Sequence, residues 1–444
     1  MQQVNLGMIG GGTVGSGVFH HLQRNGALLE SRLGVKIAMR RVAVKALDEP
    51  RAYPIPASVL TTDWTTVVND PEVHVVIELI GGTTLAKTIT LAALKLGKPV
   101  ITANKALISA HGEELFAVAR ECRTNLYYEA AVAGGIPIIK ALREGFVGNQ
   151  ISHIYGIVNG TCNYILTRMK LEGLDFAPTL QEAQQLGYAE ADPSLDVDGF
   201  DSEHKIGIMA SLAHGFWVKE REISVEGIRS LTRTDIEFAG KLGYTIKLLG
   251  VVKMAPGVAP KKARGAARKY VQVSVYPALV PNTHVLASVN HVFNAVFVRG
   301  DVVGDTLFYG RGAGKDATAS AVLSDVADAA LDLKHGVKTR VPPFVPHDRS
   351  GAVLPMDQVV SRCYLRFTVV DKPGTLARIA AVLAKSNIGI SSVIQPEGHE
   401  GKSVPLIFMT HDAPHAAMKK ALATIAKLSV IKAPPVMLRV ETFE

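Results

Sequence analysis

The 444 residues of the chain are too many for one ordinary hydrophobic core, so this length predicts two or three domains. The composition is 48% hydrophobic with 40 glycines, which is typical of glycine-rich α/β proteins. No apolar run reaches the roughly 18 residues of a membrane span, and the start of the sequence lacks the basic region of a signal peptide. The cysteines Cys122, Cys162 and Cys363 show neither metal spacing nor a disulfide pattern, so we expect a cytoplasmic protein.

The formal net charge of +8 raises the question of nucleic-acid binding. Basic residues concentrate in one run between Lys261 and Lys269, and no aromatic residue interrupts it. Such a run is typical of a solvated loop between two strands. We therefore predict neither a nucleic-acid partner nor a membrane partner.

Strands and helices alternate over about residues 1–150. The predicted strands are Val4–Ile9, Val35–Val44, Val73–Ile80 and Pro99–Ile101, and the predicted helices are Val14–Leu29, Thr84–Leu96 and Glu113–Arg120. This alternation indicates βαβ units, and hence an α/β fold with a doubly wound parallel sheet of the Rossmann type that binds a dinucleotide. We expect a helix from about residues 310–335 to complete this domain.

Strand-like and helical segments mix over about residues 151–335, which predicts an α+β domain for substrate binding and dimerisation. Its predicted strands are Ile151–Val158, Tyr244–Val252, Tyr270–Leu279 and Ala295–Val303. A proline-rich stretch at about 336–360 indicates a linker. The last part, about 361–444, predicts a ferredoxin-like βαββαβ order, with segments Arg362–Val370, Thr375–Lys385, Ile388–Val393, Val404–Thr410 and Ala413–Leu428 before a final strand.

A glycine-rich loop follows the first predicted strand. Gly10, Gly12 and Gly15 fit the pattern G-x-G-x-x-G, with Thr13 and Val14 between them. The first glycine permits a tight turn, the second lets a pyrophosphate approach the backbone, and the third allows close packing of helix on strand. Amide groups at the helix N-terminus then face the phosphates. Although the motif alone is weak, its position between strand and helix supports a dinucleotide site.

The end of the second strand bears on the choice of cofactor. Val44 and Lys45 stand where an NAD-specific fold often places an acidic residue on the ribose. Lys45, with Arg40, Arg41 or Arg51 nearby, is suited to a 2′-phosphate instead. We therefore predict NADP as the preferred cofactor, while the nearby Asp48 keeps NAD open.

Two further segments carry candidate chemistry. Lys105 follows a short buried strand, at the edge of the sheet where ligands bind. Asp201 and Lys205 are four residues apart on a predicted helix, so the carboxylate can orient an ammonium that exchanges a proton with an alcohol. The alternatives are a solvated helix-cap lysine and an ordinary surface ion pair. Glu190, Asp192 and Asp196 precede them in a loop and are suited to a substrate ammonium group.

At these segments the sequence closely resembles the homoserine dehydrogenase family. The resemblance covers essentially the whole chain and rests on the glycine loop, Thr102–Lys105, Tyr128–Pro137, Asn159–Thr161, Gly187–Lys205 and Gly310–Gly314. The family interconverts L-homoserine and L-aspartate 4-semialdehyde with a nicotinamide cofactor, on the route to threonine and methionine. The last domain resembles an ACT domain, which commonly binds amino acids and pairs between chains.

The resemblance implies roles for individual residues. Lys205 is the implied proton donor or acceptor, Asp201 orients it, and Lys105 lies near the nicotinamide and the substrate oxygen. Glu190, Asp196 and Thr161 are implied substrate contacts, and Gly312 is an implied cofactor contact. An implied sodium site comprises Glu129 and the carbonyl groups of Val132, Gly134 and Ile136. Gly374 and Asn387 are implied regulatory residues that bind threonine, and a homo-oligomer, dimer or tetramer, is expected.

Two other functions remain open at this point. A phosphorylating semialdehyde dehydrogenase needs a cysteine nucleophile, and Cys162 lies beside the predicted site. A non-enzymatic amino-acid sensor needs only the last domain, which leaves Lys105, Asp201 and Lys205 without a purpose.

Overall fold

The structure, a computed structural model, describes residues 2–255, 269–348, 350–396 and 403–443. A first sheet has six strands: β1 (Gln3–Ile9), β2 (Lys36–Ala43), β3 (Leu60–Thr61), β4 (Val75–Glu78), β5 (Val100–Thr102) and β6 (Leu126–Tyr127). Four helices connect them: α1 (Thr13–Leu33), α2 (Thr65–Val68), α3 (Thr84–Lys95) and α4 (Lys105–Glu121). The basic run predicted as a loop lies outside the described residues, apart from Lys269.

The remaining strands are β7 (Ile151–Ile157), β8 (Ser224–Val225), β9 (Tyr244–Ala255), β10 (Tyr270–Pro281), β11 (Phe293–Gly300), β12 (Gly304–Arg311), β13 (Ala352–Val353), β14 (Val360–Val370), β15 (Ile390–Ile394), β16 (Ser403–Thr410), β17 (Ala413–Pro414) and β18 (Val436–Val440). The remaining helices are α5 (Ile138–Lys140), α6 (Gly160–Glu172), α7 (Phe176–Gln185), α8 (Ser194–Val197), α9 (Phe200–His214), α10 (Arg233–Lys241), α11 (Lys315–Lys334), α12 (Thr375–Lys385) and α13 (His415–Ile425). Short 3-10 turns occupy Ala57–Val59, Glu129–Ala131, Glu220–Glu222, Val285–Ser288 and Met356–Gln358, and a π-turn occupies Ala141–Gly145.

The chain divides into two compact units. The first comprises Met1–Ile154, His204–Glu220 and Asn294–Gly351, and the second comprises Tyr155–Glu203, Arg221–Phe293 and Ala352–Glu444. No helix of the part that the structure describes has the length and apolar character needed to cross a membrane.

The first unit contains the predicted doubly wound sheet. All its strand pairs are parallel, in the order β3-β2-β1-β4-β5-β6. The order reverses between β1 and β4, so a crevice for ligands lies beyond the carboxyl ends of these two strands. The central strands are buried on both faces, and α11 packs against α1 over one face of this core.

Two predictions in the first unit were wrong. The predicted strand Ala295–Val303 ends at Gly300, and a second strand, β12, starts at Gly304. Val302 and Val303 belong to the turn between them, where the side-chain oxygen of Asn149 accepts both of their amide protons. Their β-branched side chains had suggested a longer strand. Helix α4 begins at Lys105, well before the predicted Glu113, because the Asn104 side chain caps it.

The second unit contains the predicted ferredoxin-like element. Its sheet has the order β9-β10-β18-β14-β16-β15, and the last four of these strands pair antiparallel in the βαββαβ order. Helices α12 and α13 cover one face of these four strands with a core that includes Phe367, Ile379 and Phe408. The α/β fold class and the ferredoxin-like order are therefore confirmed.

Candidate functional site

The glycine loop between β1 and α1 has the geometry of a phosphate site. Gly10 has φ of 107°, and a Cβ there would lie 2.6 Å from the Leu79 carbonyl oxygen. A Cβ on Gly15 would overlap the carbonyl oxygen of Gly10. A Cβ on Gly12 would meet no atom within 4 Å, so open space remains in front of the helix N-terminus. Thr13 and Val14 start α1, whose first amide groups lack partners within the helix. This loop therefore fits a pyrophosphate.

The loop after β2 carries the residues expected to choose the cofactor. Val44 is buried, and Lys45 is exposed. The Arg51 guanidinium donates to the carbonyl oxygens of Ala46 at 2.8 Å and Leu47 at 3.0 Å, which fixes the shape of this loop. Its Nε atom is buried without a hydrogen-bond partner in the described chain.

Arg40 and Arg41, which we had considered as partners of a 2′-phosphate, are occupied elsewhere. Their Nε atoms lie 2.8 Å and 3.2 Å from the same carboxylate oxygen of Asp70. Because Arg40 and Arg41 both contact Asp70, the candidates for a 2′-phosphate at the end of β2 are Lys45 and Arg51.

Lys105 is the first residue of α4, and a hydrogen-bond network holds the start of that helix. Buried Glu78, at the end of β4, accepts from the Thr102 hydroxyl at 2.6 Å and from the Ile80 amide at 2.9 Å. Thr102 in turn accepts from the Asn104 amide at 3.0 Å, and the Asn104 side chain accepts from Leu107 N. Burial raises the pKa of Glu78. The network thus joins the carboxyl ends of β4 and β5 next to Lys105.

In the second unit, Asn159 brings two of the predicted carboxylates together. Its Nδ2 atom donates to Asp196 Oδ1 at 2.6 Å and to Asp201 Oδ2 at 2.9 Å. Its Oδ1 atom accepts from Cys162 N at 2.8 Å and caps α6. The Thr161 hydroxyl, on the first turn of the same helix, donates to Tyr188 O at 2.6 Å. Three short contacts therefore tie the start of α6 to the segment between Tyr188 and Asp201, which leads into α9.

Asp201 and Lys205 both lie on α9, one turn apart. Their relative exposures are 5% and 7%, unlike those of an ordinary surface ion pair such as Lys241 with Glu237, whose side chains are 58% and 52% exposed. Glu190 is exposed, and its carbonyl oxygen accepts from the Gln184 side chain at 3.0 Å.

Glu129 and the turn that follows it were implied as a sodium site. Glu129 is 2% exposed, and its two carboxylate oxygens accept from Ile139 N at 2.9 Å and Lys140 N at 2.8 Å. Its own amide donates to Asp325 Oδ2 at 2.9 Å. Burial raises the pKa of both carboxyl groups. In Asp325, the nearby charge of Glu129 raises the pKa further. Two buried acids with spare lone pairs are a donor set that a hard cation would favour.

The turn at Gly310–Gly314 lies directly against the turn that follows Glu129. A Cβ on Gly134 would lie 2.5 Å from the Gly312 carbonyl oxygen, and Gly135 N donates to Arg311 O at 3.0 Å. A Cβ on Gly312 would overlap the Asn294 side chain. The structure therefore brings together Gly312 and the turn that contains Val132, Gly134 and Ile136. Of the three carbonyl groups, that of Ile136 already accepts from Ile138 N at 2.8 Å.

In the last domain, Gly374 precedes α12 with φ of 86° and lines a cavity of about 470 Å³. The cavity is bordered by residues 369–376 and Gln395, and the Gln395 amide donates to Asp371 at 3.0 Å. Asn387 is not among the described residues that border it. With φ of 54°, Asn387 instead ends α12, in the left-handed conformation common just beyond a helix.

The thiol of Cys162 is buried and donates to the Asp196 carbonyl oxygen at 3.2 Å. It is directed at the backbone of the α8 segment, where it supports the loop that carries Asp196. This contact gives Cys162 a structural role and removes support for a cysteine nucleophile at this position.

Sequence reasoning had missed Asn159 in the second unit, and Glu78 and Asp325 in the first, as residues that hold candidate functional groups in place. Asn159 could have been recognised as a helix cap, because asparagine is common at that position. Its side chain accepts from the backbone amide three residues further along the chain. Glu78 was visible as a carboxylate at the end of an apolar strand, and Asp325 as an acid within the apolar face of a helix. Neither pattern says which residues lie opposite.

Known proteins resemble this chain over its whole length. The family model described as homoserine dehydrogenase matches residues 137–327, its NAD-binding domain matches residues 10–129, and the ACT domain matches residues 364–430. The chain is 42% identical to a homoserine dehydrogenase of Pseudomonas aeruginosa over 445 residues, with 99% of both chains covered. The crystal structure of a homoserine dehydrogenase from Thiobacillus denitrificans is 40% identical, with a TM-score of 0.91, and covers 100% of this chain and 99% of its own. A homoserine dehydrogenase structure from S. aureus is 31% identical, with a TM-score of 0.76 and full coverage of both chains.

The doubly wound sheet and its glycine loop, together with the match to an NAD-binding domain and the full-length relatives, place the chain among the NAD(P)-dependent oxidoreductases, here with a C-terminal ACT domain. The full-length similarity narrows this class further. The chain belongs to the homoserine dehydrogenase family of aspartate-family amino-acid biosynthesis.

Proposed function

We propose that the chain interconverts L-homoserine and L-aspartate 4-semialdehyde, with Lys205 as the group that takes or returns the hydroxyl proton. The observation that carries this proposal is the burial of Asp201 and Lys205 on one helix, at 5% and 7% exposure. Burying two charged groups is costly, and an exposed pair would gain little from its position. A buried pair four residues apart supports a catalytic lysine that its carboxylate keeps oriented.

The other residues bind the substrate or set its environment. Asp201 orients the Lys205 side chain, which is a neutral amine when it takes the hydroxyl proton and an ammonium when it returns it. Lys105 lowers the energy of the charge that develops on the substrate oxygen. Glu190 and Asp196 bind the substrate ammonium, while Thr161 borders the polar end of the substrate. The nicotinamide supplies the hydride acceptor when it is bound. Direct transfer needs no covalent intermediate, in keeping with the buried thiol of Cys162.

The test is homoserine-dependent reduction of NADP⁺ and of NAD⁺ by the wild type, Lys205→Ala and Lys241→Ala. Lys241 provides the matched control, because it forms an exposed ion pair with Glu237 at the same spacing of four residues. We expect the first variant to lose activity by roughly two to four orders of magnitude, as when a general acid–base group is removed, and the second to keep it. A wild type that is folded but inactive with both cofactors would contradict the proposal and favour an amino-acid sensor.

We propose NADP as the preferred cofactor, held by Gly10, Gly12, Thr13, Val14 and Gly15 at the pyrophosphate, with Val44, Lys45, Lys105 and Gly312 along the rest of the molecule. The support for NADP is the pair of basic side chains, Lys45 and Arg51, at the end of β2. The comparison that tests it is the ratio of kcat/KM for NADP⁺ to that for NAD⁺ in the wild type and Lys45→Ala. An unchanged ratio would contradict a role for Lys45.

We propose that Glu129 and the carbonyl groups of Val132, Gly134 and Ile136 hold a sodium ion that stabilises the turn against Gly312. A cation would favour the charged forms of Glu129 and Asp325, whose pKa burial raises. The thermal unfolding midpoint should therefore rise in sodium relative to choline at equal ionic strength, and Glu129→Gln should abolish that difference. An equal midpoint in the two salts would exclude the site.

We propose that the ACT domain binds threonine at the Gly374 cavity and that the chain forms a dimer or a tetramer. Calorimetric titration with L-threonine, with L-valine as the matched ligand without a hydroxyl group, tests binding, and analytical ultracentrifugation gives the assembly state. We expect Gln395→Ala, which alters the cavity wall, to weaken threonine binding. Failure of the wild type to bind threonine, with the oligomer intact, would leave the ACT domain a purely structural role.

A further inference from the structure

The Asn159 side chain uses both of its polar atoms in hydrogen bonds. Its nitrogen donates to two carboxylates, Asp196 at 2.6 Å and Asp201 at 2.9 Å, and its oxygen accepts from the amide of Cys162. The residue is 5% exposed, so water is largely excluded from these contacts. Hydrogen bonds to charged acceptors in such surroundings are strong.

The orientation of this amide is fixed by its partners. If the group were turned over, its oxygen would face two carboxylates and its nitrogen would face a backbone N–H, so every contact would become repulsive. The two aspartates lie 37 and 42 residues further along the chain, at α8 and at the first turn of α9. One amide group therefore sets the relative position of two carboxylates from different elements, and its donated protons offset the repulsion between them.

We propose that Asn159 is a positioning residue for homoserine oxidation, which keeps Asp196 and Asp201 charged and directed into the substrate site. The inference rests on the proposed roles of these two aspartates. Through Asp196, the amide acts on the binding of the substrate ammonium, and through Asp201 it acts on the orientation of Lys205. Both KM for homoserine and kcat then depend on a residue that need not touch the substrate.

The competing explanation is that Asn159 only caps α6. Asn159→Asp separates the two roles, because aspartate caps a helix as well as asparagine does but presents an oxygen to both carboxylates. Asn159→Ser is the second variant, since serine also caps a helix but lacks the two amide protons. Asn149→Asp is the matched control, because the oxygen of Asn149 accepts two backbone amides in a surface turn.

We expect Asn159→Asp and Asn159→Ser each to lower kcat/KM for homoserine by roughly 10- to 100-fold, the value of one or two lost charge-assisted hydrogen bonds. The affinity for NADPH, measured by fluorescence, should change little. The thermal unfolding midpoint should fall, and it should fall further in Asn159→Asp, because that variant buries a third carboxylate beside Asp196 and Asp201. Asn159→Asp should recover partly as the pH falls, because protonation of the introduced carboxyl restores one donor. A role in capping alone would not produce this pH dependence.

The inference would be overturned if both Asn159 variants had the same kcat/KM and the same pH profile as the wild type. If, in addition, the wild type is active and Lys205→Ala is inactive, the proposed function stands and only the inference about Asn159 fails. An inactive wild type would remove the proposed function, and the inference with it. If Asn159→Asp does not fold, Asn159→Ser decides, because it introduces no additional charge.

Discussion

Two glycines of the phosphate loop, three residues apart, should respond in opposite ways to the same added methyl group. A Cβ on Gly15 would overlap the carbonyl oxygen of Gly10, whereas a Cβ on Gly12 would meet no atom within 4 Å. Gly12 has φ of −71°, which is not left-handed, together with ψ of −146°, which lies outside the broad β region that alanine favours. The first substitution therefore disturbs the fold, and the second fills only the space in front of α1.

The magnitudes follow from these contacts. Gly15→Ala forces the loop or the helix to move, and overpacking of this kind costs about 1–3 kcal/mol of unfolding free energy. Gly12→Ala should cost less than this, about 1 kcal/mol, since its Cβ meets no atom and only the ψ of −146° is unfavourable for alanine. Its methyl group would, however, keep a pyrophosphate from the helix amides, and we expect the affinity for NADPH to fall roughly 10- to 100-fold.

Urea denaturation without cofactor gives the unfolding free energies, and titration of NADPH fluorescence gives the affinities. The alanine substitution of Gly26, a partly exposed glycine within α1 whose Cβ would also meet no atom within 4 Å, is the matched control and should bind NADPH normally. If Gly12→Ala binds NADPH as tightly as the wild type does, the open space is not the phosphate site. If it destabilises the fold as much as Gly15→Ala does, the space is not open.

Three further predictions concern groups around the candidate site and the ACT domain. Arg366→Met leaves the buried carboxylate of Asp235 without its partner at 2.6 Å and should cost about 3–5 kcal/mol in urea denaturation; a loss below 1 kcal/mol would contradict this. Glu78→Gln turns an amide N–H toward either Ile80 N or the Thr102 hydroxyl, which disturbs the hydrogen-bond network next to Lys105. We therefore expect kcat to fall while the affinity for NADPH is unchanged. An unchanged kcat would show that this network does not act on Lys105. Burial lowers the pKa of Lys247 to about 7 from 10.5, so the unfolded chain holds a proton that the folded chain lacks in this window. The unfolding free energy should therefore rise with pH by up to about 1.4 kcal/mol per unit between these values, and Lys247→Met should not show this contribution.

Much of the fold could be predicted because its signals are local. The glycine loop lies within one strand–turn–helix unit, and the helix Thr375–Lys385 of the ACT domain has the predicted bounds. Apolar periodicity and turn residues determine such units over ten to twenty residues. The prediction was wrong at Val302 and Val303. These exposed valines suggested a strand, but they lie in the turn between β11 and β12.

Within each unit, residues that hold candidate functional groups in place are distant in the sequence. Asn159 lies 37 and 42 residues from its two aspartates, and Glu129 lies 196 residues from Asp325. The sequence alone determined which side chains carry the chemistry, because a lysine or a carboxylate is visible by its type. Only the tertiary structure decided which of them share a hydrogen bond and which are buried, because those properties depend on contacts between segments that no local pattern encodes.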